Sequence, residues 1–148
     1  MSAAIIAAQY ANASTDTRRL VDRLLQQDAD DQAWAEQIGP AYRQGDVALL
    51  LGKSKQAVSE DRRLLRLEMR SGAIGYPAFQ FDGRRVLAGL GDIVVLLGPS
   101  VETPWTIGSW LTSPQPALGG ARPIDRLRAG EIDTVMSAAR HLSAALAG

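Results

Sequence analysis

The sequence lacks the residue types on which several common protein chemistries depend. Its 148 residues include no cysteine and a single histidine, His141. Without cysteine the chain forms neither a disulfide nor a thiolate metal site, and one histidine does not build a histidine-rich metal site. We therefore expect no bound metal and no cofactor.

Motifs typical of enzymes are missing as well. There is no glycine-rich phosphate loop and no cysteine nucleophile, and His141 lies near the chain end with no serine or acid at a motif spacing. The sequence therefore predicts a binding protein and not an enzyme.

No excess of either charge is present, since sixteen basic and sixteen acidic residues cancel. Proteins that coat nucleic acid by bulk charge are basic, so any DNA affinity must come from a local patch. The opening stretch MSAAIIAAQYANAS is apolar but has no basic leading region. It is also shorter than the ~20 residues of a membrane span, which predicts a cytoplasmic protein with no membrane contact.

The stretch DVALLLGKSKQAVSEDRR, residues 46 to 63, has the pattern of a helix-turn-helix. Gly52 suits the left-handed turn, and Ala48 allows the two helices to cross closely. Ser54 suits the N-cap of the second helix, where its hydroxyl can accept from the Ala57 N–H. The small core between the helices is predicted to contain Val47, Leu50, Leu51 and Val58.

The second helix of such a unit enters the major groove of DNA. Gln56 is the candidate for a base contact, because it lies early on the helix and can bond adenine bidentately. Two features oppose DNA binding: Lys53 stands where an apolar residue is typical, and Glu60 and Asp61 carry negative charge toward phosphates. The full set of candidate DNA contacts is Lys53, Ser54, Lys55, Gln56, Ser59, Arg62 and Arg63.

A β-hairpin is predicted after this unit. Residues 65 to 70 alternate apolar and charged, SGAIG turns the chain, and YPAFQF forms the returning strand. Pro77 cannot donate to a ladder, so that strand should start at Pro77 or lie at an edge. Arginines near the base of the hairpin form either a solvated face or a set of phosphate contacts: Arg62, Arg63, Arg66 and Arg70.

Helical patterns occupy both ends of the chain. Residues 1 to 43 are predicted to form N-terminal helices that can dimerise, with Trp34 as a packing residue. Residues 44 to 98 hold the helix-turn-helix region and the hairpin, and residues 99 to 148 form a helical C-terminal domain. In that domain Thr103 caps a helix, Pro123 starts another, and Ile132 to Leu142 form an amphipathic helix with Arg140 and His141 on its polar face. The fold class is mainly α with one short hairpin.

The C-terminal segment PWTIGSWLTSPQPALGGARPIDRLRAGEIDTVMSAARHL resembles the toxin-binding domain of Xre/MbcA/ParS-type antitoxins. The residues that carry the resemblance are Trp110-Leu111, Leu118-Gly119-Gly120, Arg122-Pro123-Ile124 and Leu127. The middle of the chain is similar to actinobacterial members at Gly39-Pro40-Ala41-Tyr42, LLGKSKQAVS, YPAFQF and Gly89-Leu90.

The resemblance implies an antitoxin that neutralises a RES-domain toxin, which degrades or transfers NAD. The helix-turn-helix pattern adds the expectation that the protein binds operator DNA and regulates its own operon. We also expect a homodimer or a hetero-oligomer with the toxin. The candidate toxin contacts are Trp105, Trp110, Leu118, Gly119, Pro123, Arg140 and His141, with the tail from Ser143 to Gly148. For Trp105 and Trp110, packing in the core is an equally good explanation. The alternative function is a stand-alone helix-turn-helix transcription regulator whose C-terminal helices only dimerise.

Overall fold

Two short helices joined by a tight turn lie near the start of the part that the structure describes. This computed structural model describes residues 36–69 and 71–147. Helix α1 spans Gln44–Leu51 and helix α2 spans Lys55–Glu60. Gly52 has the left-handed conformation, with φ 65° and ψ 37°. The Ser54 hydroxyl accepts from the Ala57 N–H at 3.1 Å, as the sequence predicts. We call α1 and α2 the helix pair.

A small apolar core holds the helix pair together. Its buried members are Val47, Ala48, Val58, Leu64 and Tyr76. Leu51 packs against its edge, whereas Leu50 is only half-buried. The predicted core is therefore right for Val47, Val58 and, at its edge, Leu51, and it also contains Ala48 of α1 and two residues beyond the helices, Leu64 and Tyr76.

The predicted hairpin is present within a three-stranded antiparallel sheet. Strands β1 (Ala41–Tyr42), β2 (Leu67–Glu68) and β3 (Ile74–Pro77) lie in the order β1-β3-β2. The expectation for Pro77 is wrong, because it is the last residue of the central strand and pairs with Ala41. At this position the missing N–H interrupts little of the ladder, since Ala78 resumes donation to the Pro40 carbonyl at 2.9 Å.

The returning strand ends earlier than YPAFQF suggests. A 3₁₀ turn occupies Ala78–Gln80, and the fully buried Gln80 side chain turns toward Leu65. Its Oε1 accepts from the Leu65 N–H at 2.8 Å, and its Nε2 donates to the Leu65 carbonyl at 2.9 Å. The side-chain amide thus takes the place of a neighbouring strand. A second hairpin follows, formed by β4 (Phe81–Asp82) and β5 (Arg85–Val86).

Four helices complete the chain: α3 (Leu90–Leu97), α4 (Pro104–Thr112), α5 (Pro123–Arg128) and α6 (Ile132–Ala147). The C-terminal helices start where the sequence predicts, with Thr103 accepting from the Trp105 N–H at 3.4 Å and Pro123 in the first turn of α5. No element is predicted above for residues 90 to 97, yet α3 is the most buried helix, with Leu90, Ile93 and Leu97 inaccessible to solvent.

Residues 37 to 148 form one compact unit. Side chains on the two sides of Gly98 pack against each other. Ile38 lies against Gly108 of α4, where a Cβ added to the glycine would be 2.9 Å from Ile38 Cδ1. Ile132 of α6 lies against Gly89, where an added Cβ would be 2.7 Å from Ile132 Cγ2. The three-part division of the chain stays a prediction, and Trp34 and Arg70 lie outside the described residues. Across residues 36–69 and 71–147, no helix has the length and apolar character needed to cross a membrane.

Candidate functional site

Helix α2 exposes its polar residues, but they already have partners within the protein. Gln56 Nε2 donates to Glu60 Oε1 at 3.2 Å, and the Ser59 hydroxyl donates to the Gln56 carbonyl at 2.9 Å. An exposed hydrogen bond of this kind contributes about 1 kcal/mol at most, so Gln56 can exchange it for a base edge. Ser54 is occupied as the N-cap and lies at the start of this exposed face.

The unusual residue after the turn glycine, Lys53, forms an ion pair with Asp61. Lys53 Nζ lies 3.6 Å from Asp61 Oδ2, and Asp61 Oδ1 also accepts from the Arg63 N–H at 2.9 Å. The charge that would repel phosphates at Asp61 is therefore partly offset. The Lys55 side chain extends along α1, where its Cε would be 3.3 Å from a Cβ added to Gly45. Its ammonium group therefore lies beside α1.

The arginines after α2 have different surroundings. Arg63 crosses the face of Gly91 and its Nη1 lies 3.0 Å from Asp92 Oδ1, which ties this loop to α3. Arg62 and Arg66 are exposed, and neither has an ion-pair partner within residues 36–69 and 71–147. Arg62 is thus more available to a phosphate than Arg63.

The second hairpin adds two exposed arginines that the sequence analysis does not include. Arg84 lies in its turn and Arg85 begins β5, and its Phe81 and Val86 pack against the core of the helix pair. The Phe81 ring also meets Tyr42 edge-on, with centroids 5.7 Å apart. Gly83, with φ 60°, is the first residue of the two-residue turn, and glycine at that position is a hairpin signal that could have identified this element. These contacts fix the arginines relative to the helix pair.

In the C-terminal part, the two tryptophans of α4 are half-buried. Trp105 Nε1 donates to the Glu68 carbonyl of β2 at 2.9 Å, which supports a packing role for this side chain. Trp110 provides its carbonyl to the loop that follows, where Gln115 Nε2 donates to it at 3.2 Å. Both rings retain some exposed surface.

The loop between α4 and α5 has a fixed shape. Backbone hydrogen bonds close it from Gln115 N to the Ala121 carbonyl at 3.0 Å and from Gly120 N to the Gln115 carbonyl at 2.9 Å. Leu118 and Pro123 are buried, so they position the loop and expose little surface to a partner. Gly119 and Gly120 have φ of 65° and 84°, and this backbone conformation, more than lack of space, favours glycine there.

A hydrogen-bonded ion pair fixes the start of α5. Arg122 Nε and Nη2 donate to the two carboxylate oxygens of Asp125 at 2.8 and 2.9 Å. These bonds lower the pKa of Asp125 and raise the pKa of Arg122. Arg126 adds a second pair with Glu131, at 2.9 Å, and donates to the Leu118 carbonyl at 3.2 Å. The loop and the beginning of α6 are therefore held together by α5.

The exposed face of α6 borders this loop. A groove of about 450 Å³ lies between Ala117 and the side chains of Asp133, Ser137 and His141. The His141 ring packs back on its own helix, with Nδ1 2.8 Å from the Ser137 carbonyl, and Arg140 is exposed. We call this groove, with Arg140 and the exposed residues 144 to 147, the C-terminal surface.

The residues at the end of α6 differ in their exposure. Ser143 points into the protein, where its hydroxyl lies 2.8 Å from the Ser100 hydroxyl. Ala144, Ala145, Leu146 and Ala147 are exposed. Within the described residues, no group of three or more acidic or histidine side chains could hold a metal ion.

Comparison with known proteins bears on the same region. Residues 102–138 match the model of the antitoxin Xre/MbcA/ParS C-terminal toxin-binding domain. The fold is also similar to that in the NMR structure of Rv2175c, with a TM-score of 0.60 and 25% sequence identity over 70% of this chain and 81% of that chain. No curated protein matches the sequence.

The segment from 102 to 138 is therefore similar to the toxin-binding domain of Xre/MbcA/ParS antitoxins, and the resemblance predicted from Trp110, Gly119 and Pro123 is confirmed for this part of the chain. The match supports an antitoxin role in a toxin–antitoxin system.

Proposed function

We propose that this protein is the antitoxin of a type II toxin–antitoxin pair and neutralises a RES-domain toxin by binding alone, without catalysis. The observation that carries the proposal is the match of residues 102–138 to the toxin-binding domain. The RES class follows from the family resemblance.

The C-terminal surface is the proposed toxin contact. It combines a groove against a rigid loop, the exposed cation Arg140 and a helix end of small apolar side chains. A groove with a polar rim and an apolar end is suited to a protein partner, because buried apolar area stabilises the complex and the polar groups fix its register. Buried Leu118 and Pro123 act by shaping this surface.

The helix pair is the proposed DNA-binding unit, through which the protein represses its own operon. Exposed Gln56, Ser59 and Arg62 on or after α2, with Arg84 and Arg85 on the adjacent hairpin, support this assignment. Such a patch allows local DNA affinity in a chain with no net charge.

Growth rescue tests the toxin assignment. Co-expression of the full chain with a RES-domain toxin encoded beside it should restore growth. A chain ending after Leu142, which lacks the exposed end of α6, should lose part of that protection, and Arg140→Glu combined with His141→Glu should lose more. The matched control, Arg84→Glu with Arg85→Glu, reverses two charges on the β4–β5 hairpin, outside the C-terminal surface. When it is expressed from a constitutive promoter, so that operator binding does not matter, this variant should rescue growth fully.

The stand-alone transcription regulator predicts a different result. In that case no neighbouring toxin gene exists, and a pull-down with the full chain captures no RES-domain protein. Undiminished rescue by the Arg140→Glu, His141→Glu variant would also contradict the proposed contact surface.

A further inference from the structure

A cleft separates the loop after α2 from helices α3 and α4. Its volume is about 490 Å³, within the range of roughly 300–1,000 Å³ that is typical of small-molecule sites. Val94 and Ile107 lie at its base and are buried, whereas Pro99, Pro104 and the 47% exposed Val95 form an apolar wall. A mainly apolar lining of this size stabilises an apolar ligand group by removing it from water.

Two arginines and two carboxylates lie at the mouth of the cleft. Arg62 and Arg66 line it and are exposed without an ion-pair partner among the described residues. Glu60 and Asp61 also line it, but Glu60 accepts from Gln56 and Asp61 is paired with Lys53. The two guanidinium groups are therefore the charged groups at the mouth that can donate to an anionic ligand. Guanidinium groups bind carboxylates through paired, charge-assisted hydrogen bonds.

We propose that this cleft binds a small amphipathic carboxylate. The apolar body of the ligand lies against Val95, Pro99 and Pro104, and its carboxylate accepts from Arg62 and Arg66. DNA fits the cleft poorly, because its phosphates bring no apolar group to cover the wall. The site is separate from the C-terminal surface and does not depend on the toxin assignment.

The lining of the cleft comes from two parts of the chain that have different proposed roles. Arg62 follows α2, whereas Pro104 and Ile107 belong to the segment matched by the toxin-binding domain. A bound carboxylate therefore bridges the loop after the helix pair and the start of α4.

Methyl NMR of the full chain tests the site, with 2-naphthoate as the probe and 2-naphthamide as its uncharged isostere. We expect naphthoate to shift the methyl signals of Val94, Val95 and Ile107, and to bind about tenfold more tightly than the amide, because charged hydrogen bonds contribute more than neutral ones. Equal affinity of the two compounds, or shifts spread over the whole surface, would overturn the proposal.

Two variants separate the cleft from general basicity. Arg62→Gln with Arg66→Gln should abolish the preference for naphthoate, whereas Arg84→Gln with Arg85→Gln, which removes two charges outside the lining, should retain it. Val95→Asp should weaken naphthoate binding by placing a negative charge on the exposed wall. Unchanged naphthoate affinity in the Arg62, Arg66 variant or in Val95→Asp would show that the probe binds elsewhere.

Discussion

The hydroxyl of Tyr76 is fully buried at the centre of the helix-pair core, and it has no hydrogen-bond partner in the described part of the chain. A buried polar group without a partner costs about 1–3 kcal/mol. We expect Tyr76→Phe to raise the free energy of unfolding by about 1 kcal/mol in urea denaturation, because the ring stays and the hydroxyl is removed. The control Tyr42→Phe alters a more exposed ring and should change little. A marked fall in stability for Tyr76→Phe would mean that the hydroxyl is bonded in solution.

The Arg122–Asp125 pair makes a small pH-dependent contribution. The hydrogen bonds from Arg122 lower the pKa of Asp125 in the folded state, so the ionised carboxylate is favoured by folding. Its contribution is present above the unfolded value of about 3.9 and is lost as the pH falls through the folded pKa. Because the Asp125 side chain is 49% exposed, we expect at most about 0.5 kcal/mol.

Thermal unfolding between pH 2 and pH 7 measures this contribution. Asp125→Asn should be less stable than the natural chain at pH 7, and the difference should shrink toward pH 2. Adding Arg122→Gln to Asp125→Asn should cost little more, because the pair is already broken. A difference that persists at the lowest pH would assign the loss to packing.

At the scale of single elements, the β4–β5 hairpin provides a test of DNA binding. Each phosphate contact adds about 0.9 to the magnitude of the slope of log affinity against log salt concentration. Arg84→Ala with Arg85→Ala should therefore reduce the magnitude of that slope by up to about 2. The affinity for promoter DNA, measured by fluorescence anisotropy, should fall in parallel. Arg140→Ala, on the C-terminal surface, is the control and should leave the slope unchanged. If the hairpin variant keeps the full slope, the hairpin makes no phosphate contact.

Local patterns predicted some elements well. The turn at Gly52 and the cap at Ser54 depend on neighbouring residues, and both are as expected. Helix α3 escaped prediction because LGDIVVLL is almost uniformly apolar, and a buried helix without a polar face has no clear period. The end of β3 escaped it because Gln80 bonds to Leu65, fifteen residues away.

The candidate site was predictable to a similar extent. The family resemblance identified the C-terminal segment, since its motif residues lie at fixed spacings along the sequence. Pairing of Arg63 with Asp92 and of Lys53 with Asp61 depends on how the chain folds back, so spacing alone did not reveal which cations are available.

For the whole molecule, the contacts across Gly98 bear on whether the predicted units at 44–98 and 99–148 separate. Leu65 and Leu67 lie beside Gly108 of α4, and Ile132 of α6 lies against Gly89. A chain ending at Gly98 would expose these apolar side chains, so we expect it to lose cooperative thermal unfolding and any DNA affinity with it. A chain ending after Leu142 keeps these contacts and should unfold cooperatively. Cooperative unfolding of the Gly98-terminated chain near the natural midpoint would instead support separable units.

Leu64 and Leu65, two neighbours in sequence, belong to different packing environments. Leu64 lies in the core of the helix pair, Leu65 contacts α4, and Gln80 clamps the backbone of Leu65 between them. This dipeptide therefore joins the core of the helix pair to α4. Under the proposed function, if toxin capture shifts α4 against the helix pair, toxin and operator each change the affinity for the other by the same factor. Transcription of the operon would then report the fraction of the antitoxin that is bound to toxin.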